Sequence, residues 1–380
     1  MGPLDGVKVI ELGGIGPGPL AGMLLSDMGA DVVRVDRAAA LGGVVGTDVV
    51  TSRGRRCVAV DLKRPEGVAA LLRMVEQADG LIDPFRPGVT ERLGLGPDHC
   101  AARNPRLVYG RMTGWGQDGP LADVAGHDIN YISLAGALAH FAREGERPMF
   151  PLNLIGDYGG GGMFLAFGLV CGILEARSSG RGQVVDVAMV DGAAVLMAAI
   201  WGFRAAGMWE ERTGVNLLDS GAGYYDVYET SDGKYVSIGA IEEQFFAELL
   251  ERLDLDPADF PQRTQREQWP EQHARFAELF RTRTRDEWCD LLEGTDVCFA
   301  PVLPMSEAKE HPHNVARATF VDRDGLAQPS PAPRFSRTPG AIRGPAARVG
   351  DHTDATLLDW GFTRDEVDAL HASGAVAQTG

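Results

Sequence analysis

The chain has 380 residues, of which 44% are hydrophobic and 23% charged, values that are ordinary for a globular protein. This length predicts two domains or one large, elaborated domain. Its 36 basic and 53 acidic residues give a net charge of −17, which argues against nucleic acid or an anionic membrane surface as a partner.

Cysteine usage and apolar runs indicate the compartment. The five cysteines are scattered, odd in number and without a C-x-x-C pair, so we expect a reducing cytoplasm, with neither a disulfide framework nor a metal site. No basic segment followed by an apolar one precedes the first strand, so no secretory signal is expected. The longest apolar run, residues 163–174, is shorter than the ~20 residues that span a bilayer. We predict a buried helix there and no membrane insertion.

The first predicted unit is a strand, VKVIEL, followed by a glycine-rich turn, a helix and a second strand, DVVRVD. The turn contains G-x-G-x-x-A at Gly16, Gly18 and Ala21, which is the pattern of a dinucleotide-binding loop. Such a loop holds pyrophosphate through backbone N–H groups, and Pro17 and Pro19 have none to offer. We therefore favour a tight turn that another group approaches closely over an NAD site.

The next predicted strand carries five cationic side chains in the thirteen residues SRGRRCVAVDLKR. Two interpretations have about equal weight: a solvated strand edge that resists aggregation, or a rim that binds the phosphates of a polyanionic ligand. In the second, Arg37 and Arg86 lie nearby, because ligands gather at the carboxyl ends of parallel strands. The five cationic residues are Arg53, Arg55, Arg56, Lys63 and Arg64.

Strand and helix patterns go on alternating to about residue 190, which predicts a parallel, doubly wound sheet. The expected α/β fold has a large Rossmann-like domain, residues 1–190, that a C-terminal segment, 320–380, completes. A linker helix region, 191–223, leads to a small α+β domain, 224–319. In that domain, Asp232-Gly233 between two β-rich runs predicts a hairpin.

Three titratable residues on separate segments are candidates for acid–base chemistry. His127 suits a base near pH 7, although a loop histidine bonded to its neighbour Asp128 is the commoner case. Asp157 precedes four glycines and a helix. It can act as a base or nucleophile beside N–H groups that bind an oxyanion, or as a plain N-cap, which spacing alone favours. Glu242 either caps a helix or fixes the tautomer of a histidine.

These segments together resemble the α-methylacyl-CoA racemases of the family III CoA-transferase superfamily. The resemblance extends over nearly the whole chain, and AGHDINY with GAIEEQF favours the racemase branch. It rests on the segments ELGGIGPGPLAGMLLSDMGADVVRVDR, CVAVDLKR, RPGVTERLGLGP, RMTGWGQDGP, AGHDINYISLAG, PLNLIGDYGGGGMFL, GQVVDVAMVDGA, YYDVYETSDGKYVSIGAIE, HPHNVARATF and PAPRFSRTP.

The resemblance implies epimerisation of 2-methylacyl-CoA thioesters. The α-carbon loses a proton on one face, an enolate forms, and a proton returns on either face. His127 would serve one face with Glu242 hydrogen-bonded behind it, and Asp157 would serve the other. No metal or other cofactor is implied, because coenzyme A is part of the substrate. The implied assembly is an interlocked homodimer in which Glu242 comes from the second subunit.

The resemblance also implies where acyl-CoA binds. The loop from Gly126 to Tyr131 would lie against the thioester, and basic and apolar residues earlier in the chain would hold the phosphates and adenine. Pro84 departs from the family pattern, which has glycine or asparagine before the aromatic residue. The implied contacts are Arg37, Val60, Asp61, Leu62, Lys63, Pro84, Phe85, Arg86, Arg92, Gly126, Asp128, Ile129, Asn130 and Tyr131.

The main alternative is a CoA-transferase of the same superfamily. There Asp157 would be a nucleophile that carries CoA between two carboxylic acids through an anhydride. Asp157 serves both chemistries, so it does not discriminate between them. His127 and Glu242 favour the racemase, because a transferase has no need of a second base. A non-catalytic acyl-CoA-binding protein on this fold is a third interpretation.

Overall fold

The computed structural model describes residues 2–43, 49–323 and 325–380. The chain forms two units: unit 1 comprises Met1–Ala135, Leu152–Met197 and Val321–Gly380, and unit 2 comprises Gly136–Pro151 and Ala198–Phe320.

The segment Gly136–Pro151 groups with unit 2, whereas the sequence analysis placed it inside the large domain. Its attachment depends on partners that are distant in sequence. Both terminal nitrogens of the Arg143 guanidinium donate to the Asp226 carboxylate, at 2.6 and 2.7 Å, and the Thr213 hydroxyl donates to the Ala139 carbonyl at 2.6 Å.

The strands of the described residues form three sheets. In chain order they are β1 (Lys8–Leu12), β2 (Asp31–Arg37), β3 (Arg56–Val60), β4 (Gly80–Asp83), β5 (Val108–Thr113), β6 (Val184–Ala188), β7 (Tyr225–Glu229), β8 (Tyr235–Gly239), β9 (Phe299–Val302), β10 (Phe320–Arg323), β11 (Leu326–Pro329) and β12 (Val376–Ala377).

The helices complete the two units. In chain order they are α1 (Pro17–Asp27), α2 (Pro65–Val75), α3 (Val89–Arg92), α4 (Pro97–Arg103), α5 (Asp128–Leu134), α6 (Phe164–Ser179), α7 (Met189–Leu196), α8 (Ala198–Ala205), α9 (Glu243–Arg252), α10 (Trp269–Phe280), α11 (Arg285–Leu292), α12 (Met305–Ala308), α13 (Pro312–Ala316), α14 (Thr353–Asp359) and α15 (Arg364–Ala372). A π-helix covers Leu154–Met163, and short 3-10 turns cover Ala38–Ala40, Leu138–His140, Pro257–Asp259 and Arg266–Gln268.

Unit 1 is built on the predicted doubly wound sheet, with strand order β12-β3-β2-β1-β4-β5-β6. Its paired strands are parallel except for β12, which runs antiparallel to β3. Successive residues of β1 face opposite sides, so Ile10 packs in one core with Leu71 and Trp360, and Val9 in another with Leu25 and Leu169. Helices therefore cover both faces of the sheet. In open α/β sheets, ligands bind beyond the carboxyl ends of the strands.

One helical stretch, Leu154–Ser179, is longer than the predicted apolar run because the π-helix continues directly into α6. By length and composition it is the one candidate in the described chain for crossing a membrane, and half of its most apolar window is buried inside the protein. The length argument made from the sequence is thus wrong, since the helix extends back through the glycines. A core helix of a globular protein passes the same test.

Unit 2 contains the predicted hairpin. Strands β7 and β8 pair antiparallel, with Glu229 opposite Tyr235 and Gly233 in the turn at φ 71°. Strand β9 pairs with the other edge of β8. Helices α9, α10 and α11 bury aromatic side chains against this sheet, among them Phe246, Phe276 and Trp288.

Candidate active site

A cavity of about 330 Å³ opens in unit 1 beyond the carboxyl ends of β1, β4 and β5, and we call it the acid–base cavity. His127 and Asp157 both line it. Its other lining residues are Ile15, Gly16, Pro17, Pro84, Phe85, Arg86, Pro87, Met112, Thr113, Gly114, Trp115, Ala122, Val124, Ala125, Gly126, Tyr131 and Met189.

Asp157 lies in the first half of the π-helix rather than at an N-cap, which spacing alone had favoured. The N-cap position belongs to Asn153, whose side-chain amide donates to Asp157 Oδ2 at 3.1 Å. Partial burial raises the pKa of Asp157, the Asn153 hydrogen bond lowers it, and the charge of Asp128 raises it again. A raised pKa brings a carboxyl group closer to the neutral range in which a general acid–base works. π-Helical turns are rare and are often found at functional sites.

The four glycines after Tyr158 do not leave N–H groups open for an oxyanion, contrary to the sequence-based interpretation. They lie inside the π-helix, and Gly160, Gly161 and Gly162 are buried. A Cβ on Gly160 would come within 2.6 Å of the Ala193 backbone nitrogen, and one on Gly162 within 2.9 Å of the Pro17 carbonyl oxygen. The glycines therefore allow the π-helix to pack closely on α7 and α1.

His127 is the N-cap residue of α5, and its backbone N–H donates to Asn130 Oδ1 at 3.0 Å. Its ring is exposed. The expected bond to Asp128 is not made, because the Asp128 carboxylate is directed at Asp157 instead. His127 lies close enough to lower the pKa of Asp157.

Tyr131 forms part of the wall next to Asp157. Its hydroxyl donates to the Gly126 carbonyl, and its ring meets Trp115 edge-on with centroids 4.8 Å apart. Burial, followed by the charge of Asp157, raises the pKa of Tyr131 to about 12, while Arg86 lowers it. The phenol is therefore neutral at pH 7.

The glycines of the opening loop approach protein groups. A Cβ on Gly16, whose φ is +67°, would lie 3.5 Å from Asp157 Oδ2. A Cβ on Gly14 would lie 2.7 Å from the Pro84 ring. The unusual proline is thus accommodated by a glycine of the facing loop, and the tight-turn interpretation of the G-x-G-x-x-A pattern fits this arrangement.

The first two members of the basic cluster, Arg53 and Arg55, fit neither interpretation made from the sequence. They form neither a solvated strand edge nor a phosphate-binding rim. Arg53 is bound to Asp27 at 2.5 Å, and both side chains are 2% exposed. Arg55 is bound to Glu11, which is fully buried and is also 3.5 Å from Arg34. Asp27 lies 26 residues before Arg53, and Glu11 lies 44 before Arg55, so the pairing was invisible in the local sequence.

Other predicted CoA contacts meet in a second cavity of about 620 Å³, which we call the basic groove. It contains Lys63 and Arg92, together with Arg64 of the basic cluster and Arg103, a cation that was not singled out from the sequence. Arg64 lies 3.5 Å from Asp61, and Arg103 lies 3.2 Å from Glu76. Its remaining lining residues are Leu62, Pro65, Val68, Ala69, Leu72 and Leu93.

The remaining predicted contacts lie outside these two cavities. The β2–β3 register sets Arg37 opposite Val60 at the carboxyl ends of the sheet, and Arg37 is exposed. Asp61 accepts the Lys63 N–H at 3.0 Å. On α5, Ile129 and Asn130 are exposed, whereas Asp128 is buried.

Glu242 lies in unit 2 as the exposed N-cap residue of α9, without a side-chain capping hydrogen bond. Asn153 was not recognisable from the sequence as a partner of Asp157. The i, i+4 spacing of this pair is the signal that would have found it, had the segment been recognised as helical. No group of three or more His, Cys, Asp or Glu residues that would hold a metal ion occurs in the part of the chain that the structure describes.

Comparison with known proteins identifies the family. The model of CoA-transferase family III matches residues 4–353. The chain belongs to CoA-transferase family III. Within this family it is 45% identical to a mouse protein and 41% identical to a human protein, both named alpha-methylacyl-CoA racemase. The mouse match covers 98% of this chain and 97% of the relative, and the human match 97% and 96%.

Three further matches have lower identity. Succinyl-CoA–D-citramalate CoA-transferase of Chloroflexus aurantiacus is 30% identical, with 98% of both chains covered. Among solved structures, a CAIB/BAIF family protein from Brucella suis has a TM-score of 0.80 at 24% identity, and the match covers 94% of this chain and 99% of that one. Rv3272 from Mycobacterium tuberculosis has a TM-score of 0.76 at 25% identity, with 93% and 98% covered. These structures share the α/β fold of this family III chain.

Proposed function

We propose that this family III protein is an α-methylacyl-CoA racemase, an isomerase that interconverts the R and S epimers of 2-methylacyl-CoA thioesters. The observation that carries the proposal is that two side chains able to take up and release protons, His127 and Asp157, lie on the walls of one cavity. The names of the mouse and human relatives support the same activity.

The proposed reaction is a proton exchange at the α-carbon. One base takes the α-proton, the electron pair of the C–H bond moves into an enolate, and the thioester oxygen carries the negative charge. The conjugate acid of the opposite base returns a proton to the other face, which inverts the centre. The raised pKa of Asp157 suits it to both roles, because the protonated form becomes more accessible near neutral pH.

Glu242 completes the proposed constellation from the second subunit of a homodimer, hydrogen-bonded behind His127. An apolar stripe on α6 supports association with a second copy. Phe167, Val170 and Leu174 lie on one face of that helix and are 68%, 37% and 71% exposed. A row of large exposed apolar side chains at helical spacing marks an interaction surface more often than a solvated one.

Acyl-CoA is the proposed substrate, with its phosphates and adenine held by the exposed cations. Lys63 and Arg92 in the basic groove, Arg37 at the end of β2 and Arg86 at the acid–base cavity are the cations we assign to this role. In a chain of net charge −17, a polyanion needs such a local concentration of positive charge.

We also propose that the enzyme works in the cytoplasm without a metal, a redox cofactor, nucleic acid or membrane insertion. Proton exchange at a thioester α-carbon requires acids and bases only. The cysteines Cys57 and Cys100 are free and buried, and burial raises the pKa of each thiol to about 12, so both are inert neutral thiols that suit a reducing compartment.

A CoA-transferase reaction is the second candidate, favoured by the name of the Chloroflexus relative. In it, the Asp157 carboxylate attacks the thioester carbonyl and CoA thiolate leaves, which gives a mixed anhydride; the thiolate then attacks the Asp157 carbonyl, so that the donor acid leaves as a carboxylate and CoA is held as an aspartyl thioester. The acceptor carboxylate attacks this thioester to form a second anhydride, and the released thiolate attacks the acceptor carbonyl, which gives the new acyl-CoA and restores Asp157. The presence of His127 in the same cavity favours the racemase, because the transferase has no step that requires a base on the opposite face.

Proton NMR of each 2-methylacyl-CoA epimer with the protein in deuterium oxide tests the proposal. We expect the α-proton signal of both epimers to disappear while each converts toward a mixture. The absence of α-exchange, together with CoA transfer once a carboxylic acid is added, would instead assign the transferase reaction.

A further inference from the structure

Asp128 contacts the base-bearing helix directly. It is the first residue of α5, its side chain is turned inward, and the residue is 5% exposed. Its Oδ2 accepts the backbone N–H of Asp157 at 2.7 Å. A charged acceptor on a backbone N–H makes a stronger hydrogen bond than a neutral one.

The Asp157 N–H needs this external acceptor. In a π-helix each N–H bonds five residues back, and the first such bond here runs from Tyr158 to the Asn153 carbonyl at 3.3 Å. Asp157 precedes Tyr158, so its N–H has no carbonyl within the helix to reach. Asp128 therefore fixes the turn from which the Asp157 side chain enters the cavity.

The neighbouring residue makes room for this contact. A Cβ on Gly156 would lie 2.7 Å from Asp128 Oδ2 and 3.2 Å from the Asp128 Cα. Only glycine at position 156 allows α5 and the π-helix to come this close. The Asp128 carboxylate packs directly on Gly156, and this contact explains why position 156 is a glycine.

The second oxygen of Asp128 is unusual. Oδ1 is buried and has no hydrogen-bond partner among the described residues. A carboxylate kept in this state is costly, which points to a role that an uncharged residue would not fill. The charge of Asp128 raises the pKa of Asp157, and this effect is the third largest, after the effects of burial and of the Asn153 hydrogen bond.

Other charged groups near Asp157 are few. His127 lowers its pKa from the opposite side, and Arg86 acts on Tyr131. Helix α7 carries Asp191, whose charge acts on Asp186, and Arg111 of β5 is paired with Glu91. Asp128 is therefore the neighbouring carboxylate that acts on Asp157.

We propose that Asp128 is a positioning residue that holds Asp157 in place for proton transfer through the Asp157 amide, rather than a side chain that contacts the substrate. This inference rests on the proposed racemase function and assigns Asp128 to the face of the α-carbon that Asp157 serves. Removal of Asp128 then impairs Asp157 and leaves His127 able to exchange the α-proton on its own face.

The experiment compares Asp128→Ala and Asp128→Asn with wild-type protein, using each epimer of a 2-methylacyl-CoA in deuterium oxide. Asp79→Asn is the matched control, because Asp79 also accepts a backbone N–H, that of Lys8 at 2.9 Å, on β1. For Asp128→Ala we expect kcat for inversion to fall on the order of 100-fold with little change in KM, since a misplaced catalytic group has effects of this size. Exchange slows for the epimer whose proton faces Asp157 and continues for the other.

Asp128→Asn keeps an oxygen acceptor and removes the charge, so we expect its kcat for inversion to fall less than that of Asp128→Ala. Without the neighbouring negative charge, the pKa of Asp157 falls, and Asp157 stays ionised to lower pH. The low-pH limb of the Asp157-dependent exchange therefore moves to lower pH. This variant keeps the test decisive if Asp128→Ala proves unstable on thermal melting.

Equal slowing of both epimers, or Asp128 variants that behave like Asp79→Asn, would overturn this inference while wild-type exchange still supports the racemase. A lack of α-exchange by wild-type protein would overturn the proposed function and this inference with it.

Discussion

Two sets of basic residues in unit 1 have opposite environments. Arg53 and Arg55 are buried and bound to carboxylates on α1 and β1. Lys63 and Arg92 are exposed and line the basic groove, whose volume is about 620 Å³. Both sets are positively charged, and three of the four residues, Arg53, Arg55 and Lys63, lie in the same stretch of sequence. What separates them is whether the fold brings a buried carboxylate to them.

The buried set holds the framework beneath the site together. Glu11 lies on β1, and Gly22 of α1 leaves room for its carboxylate, since a Cβ there would lie 2.1 Å from Glu11 Oε2. In the exposed set, Lys63 follows β3 and Arg92 ends α3, and we propose that both meet the incoming ligand. Stability and ligand affinity should therefore respond separately to substitutions in the two sets.

The largest expected effect is on stability, from Arg53→Met. It leaves Asp27 buried without its partner, and breaking a buried ion pair in this way costs about 3–5 kcal/mol. Urea unfolding followed by tryptophan fluorescence measures the loss. Because burial already raises the pKa of Asp27, the unpaired carboxyl takes up a proton as the pH falls, so the deficit should be smaller at pH 5 than at pH 8.

Lys63→Met serves as the control for Arg53→Met, because it removes one exposed cation of the same stretch. Its unfolding free energy should stay within about 0.5 kcal/mol of wild type. A loss in Arg53→Met no larger than in Lys63→Met would show that the buried pair does not hold the framework together.

A smaller effect, on affinity, is expected from Lys63→Met and Arg92→Met. Loss of a charge-assisted phosphate contact should raise KM for acyl-CoA roughly tenfold with kcat little changed. The matched substrate is the acyl-pantetheine thioester, which lacks the phosphates and should be turned over equally by wild type and variants. If KM for acyl-pantetheine rose as much as KM for acyl-CoA, the basic groove would not be a phosphate site.

Much of unit 1 could be predicted because its signals are local. Apolar runs such as VKVIEL indicate buried parallel strands, and Asp232-Gly233 indicates a hairpin turn in unit 2. The pairing of Arg53 with Asp27 is not local, since α1 and β3 meet only in the folded sheet. The same holds for segment 136–151, which is attached through Arg143 to Asp226, 83 residues away.

Two of the candidate acid–base residues that the sequence indicated lie together in the fold, whereas the residues that support them were not recognised. His127 and Asp157 meet in one cavity as expected for a pair of bases. The glycine run after Asp157 indicated a helix N-terminus with open N–H groups, whereas these glycines lie inside the π-helix and pack closely against α1 and α7. Without the π-helix, neither Asn153 nor the inward side chain of Asp128 was recognisable.

The most direct test of two bases on opposite faces is α-proton exchange by His127→Ala and Asp157→Asn with each pure epimer in deuterium oxide. Each variant should lose inversion and still exchange the α-proton of one epimer with retention, and the epimer should differ between the two variants. Loss of exchange from the same epimer in both variants, or undiminished inversion in either, would contradict this prediction.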